Sequence, residues 1–160
     1  GKGIGVVPDT AMVALDIGKA ALLRQGKRIA ILLFGSLLAD ARVAADELDA
    51  TLVNMRFVKP LDEAMVQHMA ETHDMLVTLE DNAVMGGAGS AVNECLQRLS
   101  IQVSVLNLGL PDDYIEHGLR EQQLAACGLD GQSLVKRIRQ YAVQYLEFST
   151  LVAVAPVEVA

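Results

Sequence analysis

The stretch Val77-Thr-Leu-Glu-Asp-Asn-Ala-Val-Met-Gly-Gly-Ala-Gly-Ser-Ala-Val-Asn-Glu94 reads as a buried strand, an acidic turn, a glycine cluster and the start of a helix. Residues 75–79 are apolar apart from Thr78, the pattern of a strand covered on both faces of a parallel sheet. Glu80, Asp81 and Asn82 then end the strand, and Gly86, Gly87 and Gly89 permit positive φ and close backbone approach. Gly89 or Ser90 opens the helix, whose apolar face is Ala91, Val92, Cys95, Leu96 and Leu99.

A glycine turn before a helix N-terminus suits an anion, because free N–H groups and the helix dipole both favour negative charge there. The details weigh against a phosphate site. A P-loop needs a lysine after its glycines, and this turn has none. A dinucleotide fingerprint needs a third glycine where Gly87-Ala-Gly89 is followed by Ser-Ala-Val. Tight packing of helix on sheet is therefore the first reading of these glycines, and phosphate binding the second.

Working outward, residues 29–34 form an all-apolar run closed by Gly35 and Ser36, with Ser36 expected to cap a helix whose inner face is Leu37, Ala41, Ala44 and Leu48. Residues 51–57 give the next strand. Pro60 stops it, and Asp62 or Glu63 starts a helix reaching His73. After the glycine helix, residues 102–108 supply a fourth parallel strand. This strand–helix alternation predicts a parallel α/β sheet with right-handed crossovers. Residues 19–25 are expected to form a strand in a hairpin through Gln25-Gly26-Lys27. A short helix over 118–127 ends at Gly128, and Asp130 caps a long final helix. The expected division is a linker over 1–18, a domain over 19–148 and a mobile tail over 149–160.

With 160 residues, 52% hydrophobic and 21% charged, the chain can bury one sizeable core. A formal charge of −7 argues against nucleic acid or an anionic membrane as main partner. Two cysteines make no disulfide framework and lack metal-ligand spacing, so a reducing, cytoplasmic setting is expected. No apolar run is long enough to span a bilayer. The start at Gly1 and the absence of tryptophan suggest a piece of a longer polypeptide.

No catalytic constellation stands out. His68 and His73 are five apart, the wrong spacing for two ligands on one helix face. His117 lies among Asp112, Asp113 and Glu116, where a solvated acidic loop is the first reading. Lys59 follows a strand and is placed for a ligand mouth. Arg56, between Met55 and Phe57, calls for a carboxylate partner or an edge position, and Asp62 and Glu80 are the candidates for a structural ion pair.

Four segments, 30–35, 51–62, 79–90 and 106–112, resemble the C-terminal domain of the 1-deoxy-D-xylulose-5-phosphate synthase family, thiamine-diphosphate enzymes of the transketolase group. The resemblance spans roughly residues 18–146. It implies a three-layer α/β/α fold with five strands, four parallel and the first antiparallel. It also implies a parent reaction, in which pyruvate loses CO2 and its two-carbon unit is transferred to glyceraldehyde 3-phosphate. In that family thiamine diphosphate and Mg2+ lie between the two preceding domains, so no catalytic, cofactor or metal residue is carried over here and no cofactor is expected on this fragment. The implied partners are those preceding domains and a second subunit, giving a homodimer. The residues expected to meet them are Glu80, Asp81, Asn82, Ala83, Val84, Met85, Gly86 and Gly87, since exposed Ala83, Val84 and Met85 make a sticky patch. Two alternatives stay open: a free-standing nucleotide- or acyl-phosphate-binding module, and the C-terminal domain of another transketolase-group enzyme.

Overall fold

Apolar runs too short for helices set the strand positions, and helices fill the gaps between them. A computed structural model describes residues 14–152, with side chains described through residue 145. Its elements are β1 (Ala21–Arg24), β2 (Ile29–Phe34), α1 (Leu38–Leu48), β3 (Thr51–Asn54), α2 (Glu63–Thr72), β4 (Met75–Ala83), α3 (Ala88–Arg98), β5 (Ser104–Leu110), α4 (Arg120–Ala126) and α5 (Gly131–Val152). The five strands form one sheet in the order β1-β3-β2-β4-β5. Only β1 is antiparallel. This is the three-layer, mostly parallel architecture expected from the sequence.

β2 lies at the centre because all six of its residues are apolar and buried, so both faces need a helix layer. Period-two alternation divides the core. Ile29, Ile31, Leu33, Leu52 and Val77 pack against α1 and α5, whereas Ala30, Leu32, Phe34, Val53 and Leu76 pack against α2 and α3. Helix ends follow local chemistry. Asp62 caps α2 by accepting the Met65 N–H at 3.1 Å, and Asp130 accepts the Ser133 N–H at 3.2 Å at the start of α5, both as expected.

Several expectations need correction. β1 does not form a hairpin with β2; it pairs with β3, at the sheet edge. Parallel strands occupy both sides of β2, leaving the half-exposed β1 the rim. Gly26 instead lets the chain cross the α1–β3 junction, where a Cβ would lie 2.2 Å from the Ala50 carbonyl carbon. Ser36 does not cap α1, whose N-cap is the buried Leu37; its hydroxyl points to Asp81. β3 ends at Asn54, and Arg56 is exposed at φ 60°, not embedded in a strand. Its proposed partners are both engaged by backbone N–H groups, Asp62 by Ala20 and Met65, and Glu80 by Ala88 and Gly89. α5 continues to Val152, beyond the expected boundary at 148. The rest of the expected tail, 153–160, and positions 1–13 of the expected linker lie outside the described residues.

Candidate functional site

Open parallel sheets offer their binding crevice beyond the carboxyl ends of the strands. Here that edge is built from the ends of β2 and β4, the turn into α3 and the loop after β3. A groove of about 500 Å³ lies there, lined in part by Phe34, Lys59, Glu80, Asp81, Gly87 and Glu94. Lys59, expected at a ligand mouth, is exposed and lines this groove.

The acidic run Glu80–Asp81–Asn82 is not the turn expected after residue 79. β4 in fact continues to Ala83, which pairs with Leu110 past an irregularity in register. Extension of the strand turns Glu80 inward, leaving it 2% exposed. Its carboxylate accepts the Ala88 N–H at 2.7 Å and the Gly89 N–H at 2.9 Å. A side chain from the neighbouring strand therefore caps α3 and places a negative charge at the positive end of the helix dipole.

This arrangement explains the glycines. At Gly87 a Cβ would fall 2.2 Å from Glu80 Oε2 and 2.2 Å from the Ala83 carbonyl oxygen. At Gly89 it would fall 2.6 Å from the Thr78 hydroxyl. Gly86 has φ +72° and open space around it. The glycines thus serve close packing of helix on sheet, and the anion at the α3 N-terminus is the chain's own Glu80. The second reading, a phosphate in this cradle, has no free donors at Ala88 and Gly89 to rest on.

The eight expected interface residues are divided by the structure. Glu80 is buried and used internally, so it presents no group to a partner. Asp81, Val84 and Gly87 are half-buried, while Asn82, Ala83, Met85 and Gly86 are exposed, Met85 to 74%.

Beside them is a polar cluster that sequence reasoning missed. Ser36 donates its hydroxyl to Asp81, its backbone N–H reaches Asp81 Oδ2 at 3.2 Å, and Arg120 Nη2 donates to Ser36 Oγ at 2.7 Å. Its members come from the β2–α1 connection, β4 and α4. Ser36 and Arg120 are 84 positions apart, so no local spacing announces them. A second internal pair is Thr78 and Asn107, register partners on β4 and β5 joined at 2.8 Å. The single polar residue in the apolar run 75–79 was its signal.

The histidines form no site. His68 and His117 are exposed. His73 is buried at the amino-terminal edge of the sheet, beside a groove of about 690 Å³. Its Nε2 meets Thr51 Oγ1 at 2.7 Å and its Nδ1 lies 3.1 Å from the Met69 carbonyl, so the imidazole ties α2 to β3. Among the described residues, no three His, Cys, Asp or Glu side chains are grouped to hold a metal. No described helix is long and apolar enough to cross a membrane.

Comparison with known proteins agrees with this architecture. Residues 18–134 match the family model described as transketolase, C-terminal domain. A 1-deoxy-D-xylulose-5-phosphate synthase of Aeromonas hydrophila is 56% identical over 141 residues, covering 88% of this chain and 23% of the relative. That of Nitrosococcus oceani is 53% identical over 141 residues, covering 88% and 22%. The chain thus spans under a quarter of the length of the curated relatives it matches. A solved structure titled split gene transketolase, inactive beta4 tetramer, superposes with a TM-score of 0.76 at 27% identity, covering 86% of this chain and 47% of that one.

Proposed function

Because the chain belongs to the transketolase C-terminal domain family, we propose that it is the C-terminal domain of a 1-deoxy-D-xylulose-5-phosphate synthase and that it is structural rather than catalytic by itself. The observation that carries this reading is 56% identity to such a synthase across 88% of the chain. The parent enzyme condenses pyruvate with glyceraldehyde 3-phosphate, with loss of CO2, in the supply of isoprenoid and thiamine precursors. It acts in the cytoplasm as a homodimer. Thiamine diphosphate with Mg2+ supplies the carbanion chemistry in that class of enzyme.

The residues present here do not fit that cofactor. The glycine turn before α3 offers a diphosphate no free donors at Ala88 and Gly89, whose N–H groups the Glu80 carboxylate already takes. This chain's part is to hold the carboxyl edge of its sheet in a fixed shape. Exposed Asn82, Ala83, Met85 and Gly86, with half-buried Asp81, Val84 and Gly87, then meet another domain or subunit.

The test is a chimera in which this chain replaces the matching C-terminal segment of the Aeromonas hydrophila synthase. Product formation from pyruvate and glyceraldehyde 3-phosphate within about tenfold of the parent is expected, about 1.4 kcal/mol in activation free energy. The 160-residue chain alone should form no product and give no saturable heat on titration with thiamine diphosphate and Mg2+. An inactive chimera, or micromolar binding of the cofactor to the isolated chain, overturns the proposal.

A further inference from the structure

Resting on the reading of this chain as one domain of a longer synthase, we propose that the loop 111–119 and Met85 form one docking surface for an earlier domain of the same polypeptide. The surface it receives carries arginine and lysine around an apolar depression. Three large apolar side chains lie bare on these two segments: Tyr114 is 81% exposed, Met85 74% and Leu119 68%. Monomer surfaces seldom gather such groups without a partner.

The two segments that carry them leave the sheet together. Ala83 is the register partner of Leu110, and the Val84 N–H donates to the Leu110 carbonyl at 3.1 Å, so both chains leave the sheet side by side. The far end of the loop is held where Arg120 reaches Ser36, which in turn bonds Asp81. The loop therefore spans two fixed points on the carboxyl edge. α4, which follows it, has no buried residue. Such a segment presents its side chains outward rather than folding them into the core.

Charge indicates the partner. Asp112, Asp113 and Glu116 are exposed around Tyr114, and Arg120, the cation that follows the loop, is engaged at Ser36. A complementary surface is cationic. A second copy of this chain fits poorly, since a net charge of −7 would set acidic loop against acidic molecule. The relatives, of which this chain covers 22–23%, have more than three quarters of their length outside it. That remainder provides the occupant.

Amide hydrogen exchange at 84–87 and 110–120 tests the proposal, comparing the isolated chain with the chimera described above. Exchange at both segments should slow at least tenfold in the chimera, and Asp112→Lys/Asp113→Lys/Tyr114→Ser should abolish the slowing. Equal exchange in the two proteins overturns the proposal. So does protection that survives the triple substitution, or protection of the isolated chain that grows with its concentration, which would mark a second copy as the occupant. A chimera that makes product with an unprotected loop refutes this docking surface alone. A protected loop in an inactive chimera supports it and refutes the assigned reaction.

Discussion

Replacing Glu80 by alanine removes the carboxylate that accepts from two buried backbone donors, the N–H groups of Ala88 and Gly89, now held at 2.7 and 2.9 Å. Each buried donor left unsatisfied costs roughly 1–3 kcal/mol. Two such donors, with partial relief from water entering the space left by the carboxylate, give a loss of about 2–4 kcal/mol. For a chain of this size each kcal/mol shifts the unfolding midpoint by roughly 2–4 °C, so Glu80→Ala should melt about 5–15 °C lower. Glu80→Gln keeps one carbonyl acceptor and turns an NH2 toward the other donor, so it should lose about half as much. Denaturant titration of the three proteins, with slopes compared to confirm the same unfolding transition, measures the series. An alanine variant within about 0.5 kcal/mol of the parent would refute the capping role of Glu80, because surface substitutions alone produce changes of that size.

Gly87→Ala should destabilise by several kcal/mol, since its Cβ would lie 2.2 Å from a backbone carbonyl, whereas Gly86→Ala, with nothing within 4 Å, should lose only about 1–2 kcal/mol for its positive φ; denaturant midpoints check the order. Hydrogen bonds from Ser133, side chain first, hold the Asp130 carboxyl below its ordinary value of 3.8. A lowered folded-state pKa contributes stability above the unfolded value and loses it as pH falls through the folded one. Asp130→Ala should therefore cost about 1 kcal/mol at neutral pH, and its difference from the parent should shrink below pH 3.8. Burial pushes the Cys95 thiol up, while Cys127 is half-buried; a thiol-specific chromogenic disulfide should label Cys127 first and Cys95 only as the chain unfolds.

The fold was legible where burial imposes a pattern. The all-apolar 29–34 and the nearly apolar 75–79 have no alternative to central strands, and Asp62 and Asp130 mark helix starts by side-chain chemistry that is local in sequence. Sequence reading lost accuracy where a residue's role depends on a distant neighbour. Arg56 looked buried because its neighbours Met55 and Phe57 are apolar, yet a left-handed turn at Arg56 itself carries it into solvent. Ser36 has the right identity for a helix cap, but an acidic strand end brought beside it through the fold takes its hydroxyl instead. Lys19–Gln25 looked like half of a hairpin, because no local signal tells a chain which strand edge is already occupied by parallel neighbours.

The glycine turn shows how a correct rejection can rest on an incomplete reason. The missing lysine and the missing third glycine argue against a phosphate, but they give Glu80 no part in the turn. In the structure Glu80 is what binds: α3 presents the donors and dipole of an anion site, and β4 delivers the anion from within the chain. The glycines satisfy both readings, because a carboxylate and a phosphate oxygen approach a backbone N–H at similar distances and both exclude a Cβ. What separates them in sequence is the register of the acid on the strand. A glutamate one residue beyond Leu79, on a strand that continues to Ala83, falls on the face toward α3. That continuation was the missing fact, since ending the strand at 79 freed Glu80 to face solvent. Strand length here decides whether the same acidic residue is an interface group or the internal cap of a helix.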